Sequence, residues 1–218
     1  MSDANSVLTW RSGNGWLVLS GGPDALSEIR AQALTRMRLV GGAAYISLDD
    51  DDDDVLEDLG ELGGPTGYLV NILLEDDDTI RARLKEAGLV VLPDIADPEA
   101  LRSALVGAAI EAIQDAFERG AVVLAEGVSA ALLGELLILD NGAEIRGLAW
   151  VEDAAIVPGV TSLAESAGAR FMLAAHRVSK VIGIGVGSAL VLGPDGIIEA
   201  WGQREVTVAL SGSEAGLE

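Results

Sequence analysis

Short apolar runs alternate with amphipathic stretches along the first 125 residues of the chain. The runs that predict strands are residues 16–20, 43–48, 68–74, 89–92 and 121–125. After the first run, apolar residues recur at helical spacing at Leu26, Ile29, Ala33 and Met37. Residues 76–87 have the same helical period. This order predicts strands and helices that follow one another in turn.

Helix start and stop residues delimit the longest predicted helix. Asp97 is a good N-cap, Pro98 suits the first helical position, and Gly120 marks the end of the helix after Arg119. Strands joined by such helices form a mostly parallel sheet with helices on both faces. We therefore expect a three-layer α/β/α domain of the flavodoxin-like type.

The pattern changes after about Leu136, where turn signals join short apolar segments. Residues 140–142 (Asp-Asn-Gly) and 193–196 (Gly-Pro-Asp-Gly) predict hairpin turns. Between them, Ser162 and Glu165 fit a capping box for a helix that reaches about Lys180. Residues 181–186, 188–192, 197–201 and 206–210 predict strands. The expectation is one α/β domain over residues 1–218 with antiparallel C-terminal hairpins, an N-terminal extension at 1–14 and a C-terminal tail at 211–218.

Composition and charge exclude several classes of partner. The 218 residues include 35 acidic and 14 basic side chains, a net charge of −21, and no cysteine. Nucleic acids and anionic membranes are poor partners, because phosphate binding depends on Lys and Arg. No apolar run is long enough to span a bilayer, and residues 1–10 do not have the form of a secretory leader. We expect a cytoplasmic protein without disulfides.

The acidic run at residues 49–54 consists of six aspartates. Six carboxylates resemble a hard-cation site, but such sites need oxygens that converge on one point, and consecutive side chains point apart. We favour a solvated surface run that stabilises the N-terminus of the following helix. The sequence therefore predicts no metal site and no cofactor.

The stretch from Ala121 to Gly134, AVVLAEGVSAALLG, is the strongest candidate for chemistry. A strand, a tight turn at Glu126-Gly127 and a helix would place Ser129 on a sharp elbow, with its hydroxyl at a helix N-terminus. A nucleophilic serine is presented in this way. The alternative is that Ser129 is only a helix N-cap.

These segments resemble the cyanophycinase and dipeptidase E group of serine peptidases, which has a class I glutamine amidotransferase-like fold. Residues 127–132 (GVSAAL) are similar to its G-T-S-A-G-A nucleophile motif, and residues 17–24 (LVLSGGPD) to its first strand and glycine turn. Residues 147–159, 181–186 and 201–208 are similar to later family segments in the same order. The resemblance covers almost the whole chain from Trp16 to Leu210.

Several positions depart from the family pattern. The resemblance places the catalytic histidine of the family at Ser162 and its preceding aspartate at Val160. The G-G-D-Q turn falls on residues 95–98 (Ile-Ala-Asp-Pro), so both glycines have gained side chains. The acids of the I-D-E segment fall on Gly187 and Ser188, and the second glycine of the elbow is Ala131.

Two functions follow from the resemblance. We favour a relative with degenerate catalytic machinery that acts as a binding, regulatory or self-assembling protein, with a homo-oligomer as the expected assembly and a small peptide as the expected ligand. The alternative is a serine peptidase in which Ser129 attacks and backbone groups at Gly127, Ala130 and Ala96 hold the oxyanion. Glu126 and His176, the single histidine of the chain, are the candidate bases in that case.

The charge pattern predicts a response to salt. Repulsion within the acidic surface runs is screened by salt, so the midpoint of thermal unfolding should rise between low and about 1 M potassium chloride. Differential scanning fluorimetry measures this midpoint. A flat or falling midpoint would contradict the expectation, and a large rise at millimolar calcium alone would favour a cation site at residues 49–54.

Overall fold

A seven-stranded sheet forms the centre of the fold. Its strands, in spatial order, are β11 (Ile198–Gly202), β10 (Ser188–Leu192), β1 (Trp16–Ser20), β5 (Val122–Glu126), β4 (Leu89–Leu92), β2 (Ala43–Ser47) and β3 (Gly67–Asn71). The computed structural model describes residues 7–37, 41–48, 53–139, 142–160, 162–164 and 166–211. The five strands from β1 to β3 in this order are parallel, and β10 and β11 extend the sheet in antiparallel orientation. The predicted fold class, a mostly parallel sheet with antiparallel C-terminal hairpins, is confirmed.

The strands and helices of the described residues have the following bounds. The strands are β1 (Trp16–Ser20), β2 (Ala43–Ser47), β3 (Gly67–Asn71), β4 (Leu89–Leu92), β5 (Val122–Glu126), β6 (Leu136–Ile138), β7 (Glu144–Arg146), β8 (Ala154–Pro158), β9 (Lys180–Ile184), β10 (Ser188–Leu192), β11 (Ile198–Gly202) and β12 (Val206–Leu210). The helices are α1 (Leu26–Arg36), α2 (Asp53–Glu61), α3 (Asp77–Lys85), α4 (Pro98–Leu105), α5 (Ala108–Arg119), α6 (Val128–Leu132) and α7 (Ala167–Ala174).

Helices cover both faces of the central sheet. Leu84 of α3, Leu101 of α4 and Phe117 of α5 are buried in one large core against one face. Ile29 of α1 and Leu59 of α2 are buried in a second core against the other face. None of the described helices is long and apolar enough to cross a membrane.

Two small sheets lie outside the central one. Strands β12, β9 and β8 form a three-stranded sheet, and β6 pairs with β7 in a hairpin. The sequence predicts two strands, at residues 181–186 and 188–192, with one residue between them. Both strands form, as β9 and β10, but they belong to different sheets. Gly187, with φ +73°, lies in the connection between them. Gly21 at the end of β1 packs directly against the carbonyls of Ile184 and Gly185, where a side chain would not fit.

The structure corrects two helix predictions. The helix expected from Asp97 to Arg119 is two helices, because Gly107 has φ +115° and breaks the chain direction between α4 and α5. The helix expected from Ser162 to about Lys180 is only α7. Ser166 is its N-cap, accepting a hydrogen bond from the backbone N–H of Ala169 at 3.2 Å.

Some predicted features lie outside the described residues. These are Glu165 of the expected capping box, Asp140 and Asn141 of the first hairpin turn, and Asp49 to Asp52 of the acidic run. The run continues into α2, which begins at Asp53. The antiparallel pairing of β6 with β7 agrees with the expected hairpin.

A buried ion pair joins α1 to the end of β5. The guanidinium of Arg30 donates two hydrogen bonds of 2.8 Å to the carboxylate of Glu126, and a third of 2.8 Å to Asp58 of α2. Arg30 is 8% and Glu126 2% exposed. Burial by itself lowers the pKa of Arg30, but the hydrogen bonds and charges of Glu126 and Asp58 raise it above the ordinary arginine value. The guanidinium of Arg30 therefore stays charged in its buried position.

Removing one partner of this pair should be costly. We expect Arg30→Met to lower the free energy of unfolding by about 3–5 kcal/mol, because it leaves the Glu126 carboxylate buried without a counterion. Urea unfolding of the variant and the parent measures the difference. The control is Arg81→Met, which removes a half-exposed surface cation and should cost about 0–1 kcal/mol. Equal costs for the two variants would contradict the prediction.

Candidate functional site

The chain turns sharply where β5 ends and α6 begins. Gly127 occupies this turn with φ +53° and ψ −122°, a conformation that favours glycine. Its N–H donates to the carbonyl of Ser20 at the end of β1, 3.1 Å away. The turn thus lies at the carboxyl edge of the sheet, the edge where parallel α/β proteins bind ligands.

Ser129 lies two residues beyond the turn, inside α6. Its side chain is buried, with 1% of the residue exposed, and its hydroxyl donates a hydrogen bond to the carbonyl of Pro93. The sequence places Ser129 on the elbow itself, whereas the structure has Gly127 there. The helix N-cap is also Gly127, and Ser129 makes no capping hydrogen bond.

The side chain of Asp94 covers the turn. A Cβ atom added to Gly127 would overlap Cγ and both carboxylate oxygens of Asp94. The N–H of Val128, the residue after the turn, donates to Oδ1 of Asp94 at 2.8 Å. A carboxylate from the loop after β4 therefore fills the position that a side chain at the turn would occupy.

The other backbone groups expected to hold an oxyanion have protein partners or lie elsewhere. The N–H of Ala130 donates to the carbonyl of Gly127 at 3.0 Å. Ala96 is exposed and directly precedes Asp97, whose carboxylate caps α4 by accepting from the N–H of Ala100 at 2.9 Å. In α/β-hydrolases the N–H of the residue after the nucleophile helps to hold the oxyanion. In those enzymes the nucleophile itself stands on the strained turn between strand and helix. Here Gly127 occupies that turn, and the N–H of the next residue, Val128, donates to the carboxylate of Asp94.

The candidate bases are not brought to Ser129 by any contact that the structure shows. Both oxygens of Glu126 accept from Arg30, so this candidate base is a buried partner of α1. His176 is exposed and lies beyond the end of α7 with φ +48°, not inside a helix as predicted. Val160 and Ser162, where the family has its acid and histidine, are half-buried in the loop after β8.

Asp94 is the residue of this site that sequence reasoning missed. Its contact with Gly127 spans 33 positions, and a Pro-Asp pair after a strand is an ordinary turn signal. The Glu-Gly pair at the end of β5 predicts the turn at Gly127, but nothing in the sequence indicates which side chain covers it. Among the described side chains, no three His, Cys, Asp or Glu residues are grouped as a metal ion would require.

Two solved peptidase structures are similar to this chain. A peptidase from an acI-B1 Actinobacterium matches with a TM-score of 0.70 and 16% identity, over 93% of this chain and 97% of the other. A Listeria monocytogenes EGD-e protein assigned as a peptidase E matches with a TM-score of 0.61 and 12% identity, over 90% and 98% of the two chains. The chain therefore shares its fold with these peptidases.

No family model matches the sequence, and no curated protein matches it either. At 12 and 16% identity the structural likeness establishes the fold alone.

The close contact of Asp94 with Gly127 predicts a non-additive pair of substitutions. Gly127→Ala should lower the free energy of unfolding by about 1–3 kcal/mol, because a Cβ is strained at positive φ and displaces the Asp94 carboxylate. In the background of Asp94→Ala the same substitution should cost less, because only the backbone strain is left.

A double-mutant cycle measured by chemical denaturation tests this contact. Asp94→Asn is the control, because it keeps the size of the side chain and an acceptor for Val128 but removes the charge. A penalty for Gly127→Ala that is the same with and without Asp94→Ala would show that the carboxylate does not lie over the turn.

Proposed function

We propose that this chain keeps a peptidase-type fold without serine peptidase chemistry, and that it acts as a binding protein. The observation that carries the proposal is the Asp94 carboxylate, which lies over Gly127 and accepts the N–H of Val128. A serine peptidase needs an uncovered nucleophile and free N–H donors at this place.

The charge of Asp94 opposes catalysis at the turn. Acyl transfer builds negative charge on the carbonyl oxygen of the substrate, and donors aimed at that oxygen stabilise it. Loss of a single such donor costs about 10²–10³ in rate. Here the donor is occupied by a carboxylate, which would also repel the developing oxyanion. The arrangement therefore disfavours the transition state both by loss of a donor and by repulsion.

The surroundings of Ser129 support the same proposal. Its hydroxyl donates to a backbone carbonyl, and a carbonyl is too weak a base to take the proton of an attacking serine. The imidazole of His176 is the only one in the chain, and it is exposed after α7. Without a base, serine catalysis falls by a factor of about 10⁴ or more.

The proposal also includes a cytoplasmic location, assembly as a homo-oligomer, and a small peptide as ligand. The alternative, a serine peptidase that uses Ser129, is the outcome that the following experiment is designed to detect.

We expect no turnover of Asp-containing dipeptides or of the β-aspartyl-arginine polymer that the family resemblance implies as substrates. An organophosphonate probe should leave Ser129 unlabelled, because its hydroxyl is buried and not activated. Product release followed by chromatography and intact-protein mass spectrometry measure the two results. An active serine peptidase run in parallel verifies the probe and the assay.

Two variants make the test specific. Ser129→Ala and His176→Ala should both behave as the parent in these assays. Stoichiometric labelling at Ser129 that is lost in His176→Ala would overturn the proposal, because it would show that this histidine activates the serine. Turnover that is abolished in Ser129→Ala would do the same.

A further inference from the structure

An apolar surface lies at the carboxyl edge of the central sheet, on the side of β3. Leu73 and Leu74 follow β3 and are 58% and 71% exposed, and Val106 between α4 and α5 is 55% exposed. The guanidinium of Arg81 lies 4.0 Å from Asp77 and 3.8 Å from Asp78 in the first turn of α3, and 3.3 Å from Glu111 in the first turn of α5. The two helices therefore begin side by side, and the three exposed side chains precede them at the same end.

The exposure of the two leucines is built into a fixed turn. The side-chain oxygen of Asn71 accepts the N–H of Leu73 at 3.1 Å and that of Leu74 at 3.0 Å. The N–H of Glu75 donates to the carbonyl of Asn71 at 3.0 Å, and Ile72 is buried in the core. The turn is anchored at both ends, so the leucines are held toward solvent and do not fold back onto the core.

Carboxylates surround this surface. The side chains of Asp77 and Asp78 are 74% and 100% exposed, that of Glu111 is 66% exposed, and Asp76 is exposed at the helix start. Among the described residues, Arg81 is the cation that the structure pairs with Asp77, Asp78 and Glu111, so these three carboxylates, Asp76 and Arg81 together carry a charge of −3. The pKa of Asp76 is lowered by its hydrogen bonds from Thr79, so this group is ionised at neutral pH.

We propose that the surface formed by Leu73, Leu74 and Val106 docks a cationic segment of a partner protein that also carries apolar side chains. The apolar side chains of the partner would cover the leucines, and its lysines or arginines would pair with Asp77 and Asp78. An apolar centre with a charged rim is the usual composition of a protein interface. The inference goes beyond the proposed function and does not depend on it.

The charge of the surface excludes a second copy of this chain as the preferred occupant. A two-fold contact brings the same patch of each copy together. Such a contact would bring the carboxylates of both copies into one interface, with one Arg81 from each copy to offset them. A partner of opposite charge gains from the same groups.

The experiment measures binding of a fluorescent amphipathic peptide of leucine and lysine by anisotropy, at about 0.15 M salt so that distant charges are screened. A comparison peptide has every leucine replaced by serine at equal charge. We expect the parent to bind the leucine peptide roughly tenfold more tightly or better, because burial of the leucines adds an apolar contribution.

Variants locate the binding on the chain. Leu73→Ser/Leu74→Ser should reduce affinity for the leucine peptide to that for the serine peptide. Asp77→Asn/Asp78→Asn should weaken binding of both peptides and reduce the salt dependence. Phe171→Ser, at a side chain of α7 that is 53% exposed, is the matched control and should bind as the parent. Thermal unfolding verifies that each variant is folded, and Leu74→Asn replaces any that is not.

Three outcomes would overturn the proposal. They are equal affinity for both peptides, no loss in the leucine variants, and an equal loss in Phe171→Ser. Self-association of the parent that is lost in the leucine variants, measured by sedimentation velocity, would reassign the surface to a second copy. None of these variants changes the turn at Gly127, so a failure here leaves the proposed function standing, and hydrolysis by the parent would leave the docking surface standing.

Discussion

The reversal of the chain at Gly127 is the constraint on which the arrangement of the site depends. The parallel strand β5 is held between β1 and β4 and has to leave the sheet in a single step, because α6 starts at the next residue. That step needs a positive φ, and the Asp94 carboxylate occupies the space above it. A residue without a Cβ satisfies both conditions, and for this reason the turn has no side chain with which to react.

Two carboxylates flank this turn in opposite environments. Glu126, one residue before it, is buried and paired with Arg30, while Asp94 is exposed and bound to the N–H of Val128. A buried pair gains little over apolar residues of the same size, but it penalises any arrangement that separates its members. The pair therefore holds α1 against the end of β5 and fixes the direction in which the turn is presented.

The pattern of apolar residues along the chain predicts most of the strands and helices of the fold. The bounds of β1, β4, β10 and β12 agree with their apolar runs, because glycine, proline, glutamate or serine delimits each run. The break at Gly107 was missed because one glycine inside an amphipathic stretch is tolerated in many helices. The separation of β9 from β10 into different sheets depends on contacts between residues far apart in the sequence. The spacing of apolar residues along the chain does not reveal such contacts.

The site was less predictable for a related reason. A motif such as GVSAAL shows that a strand passes into a helix, but it does not show which residue takes the positive φ. With Gly127 in that conformation, Ser129 is a buried donor inside α6 and not the exposed group that the elbow motif predicts. The partners of the turn, Arg30 and Asp94, come from other elements. The turn at Gly127 is covered by the Asp94 carboxylate, whereas the Leu73–Leu74 turn presents its side chains to solvent.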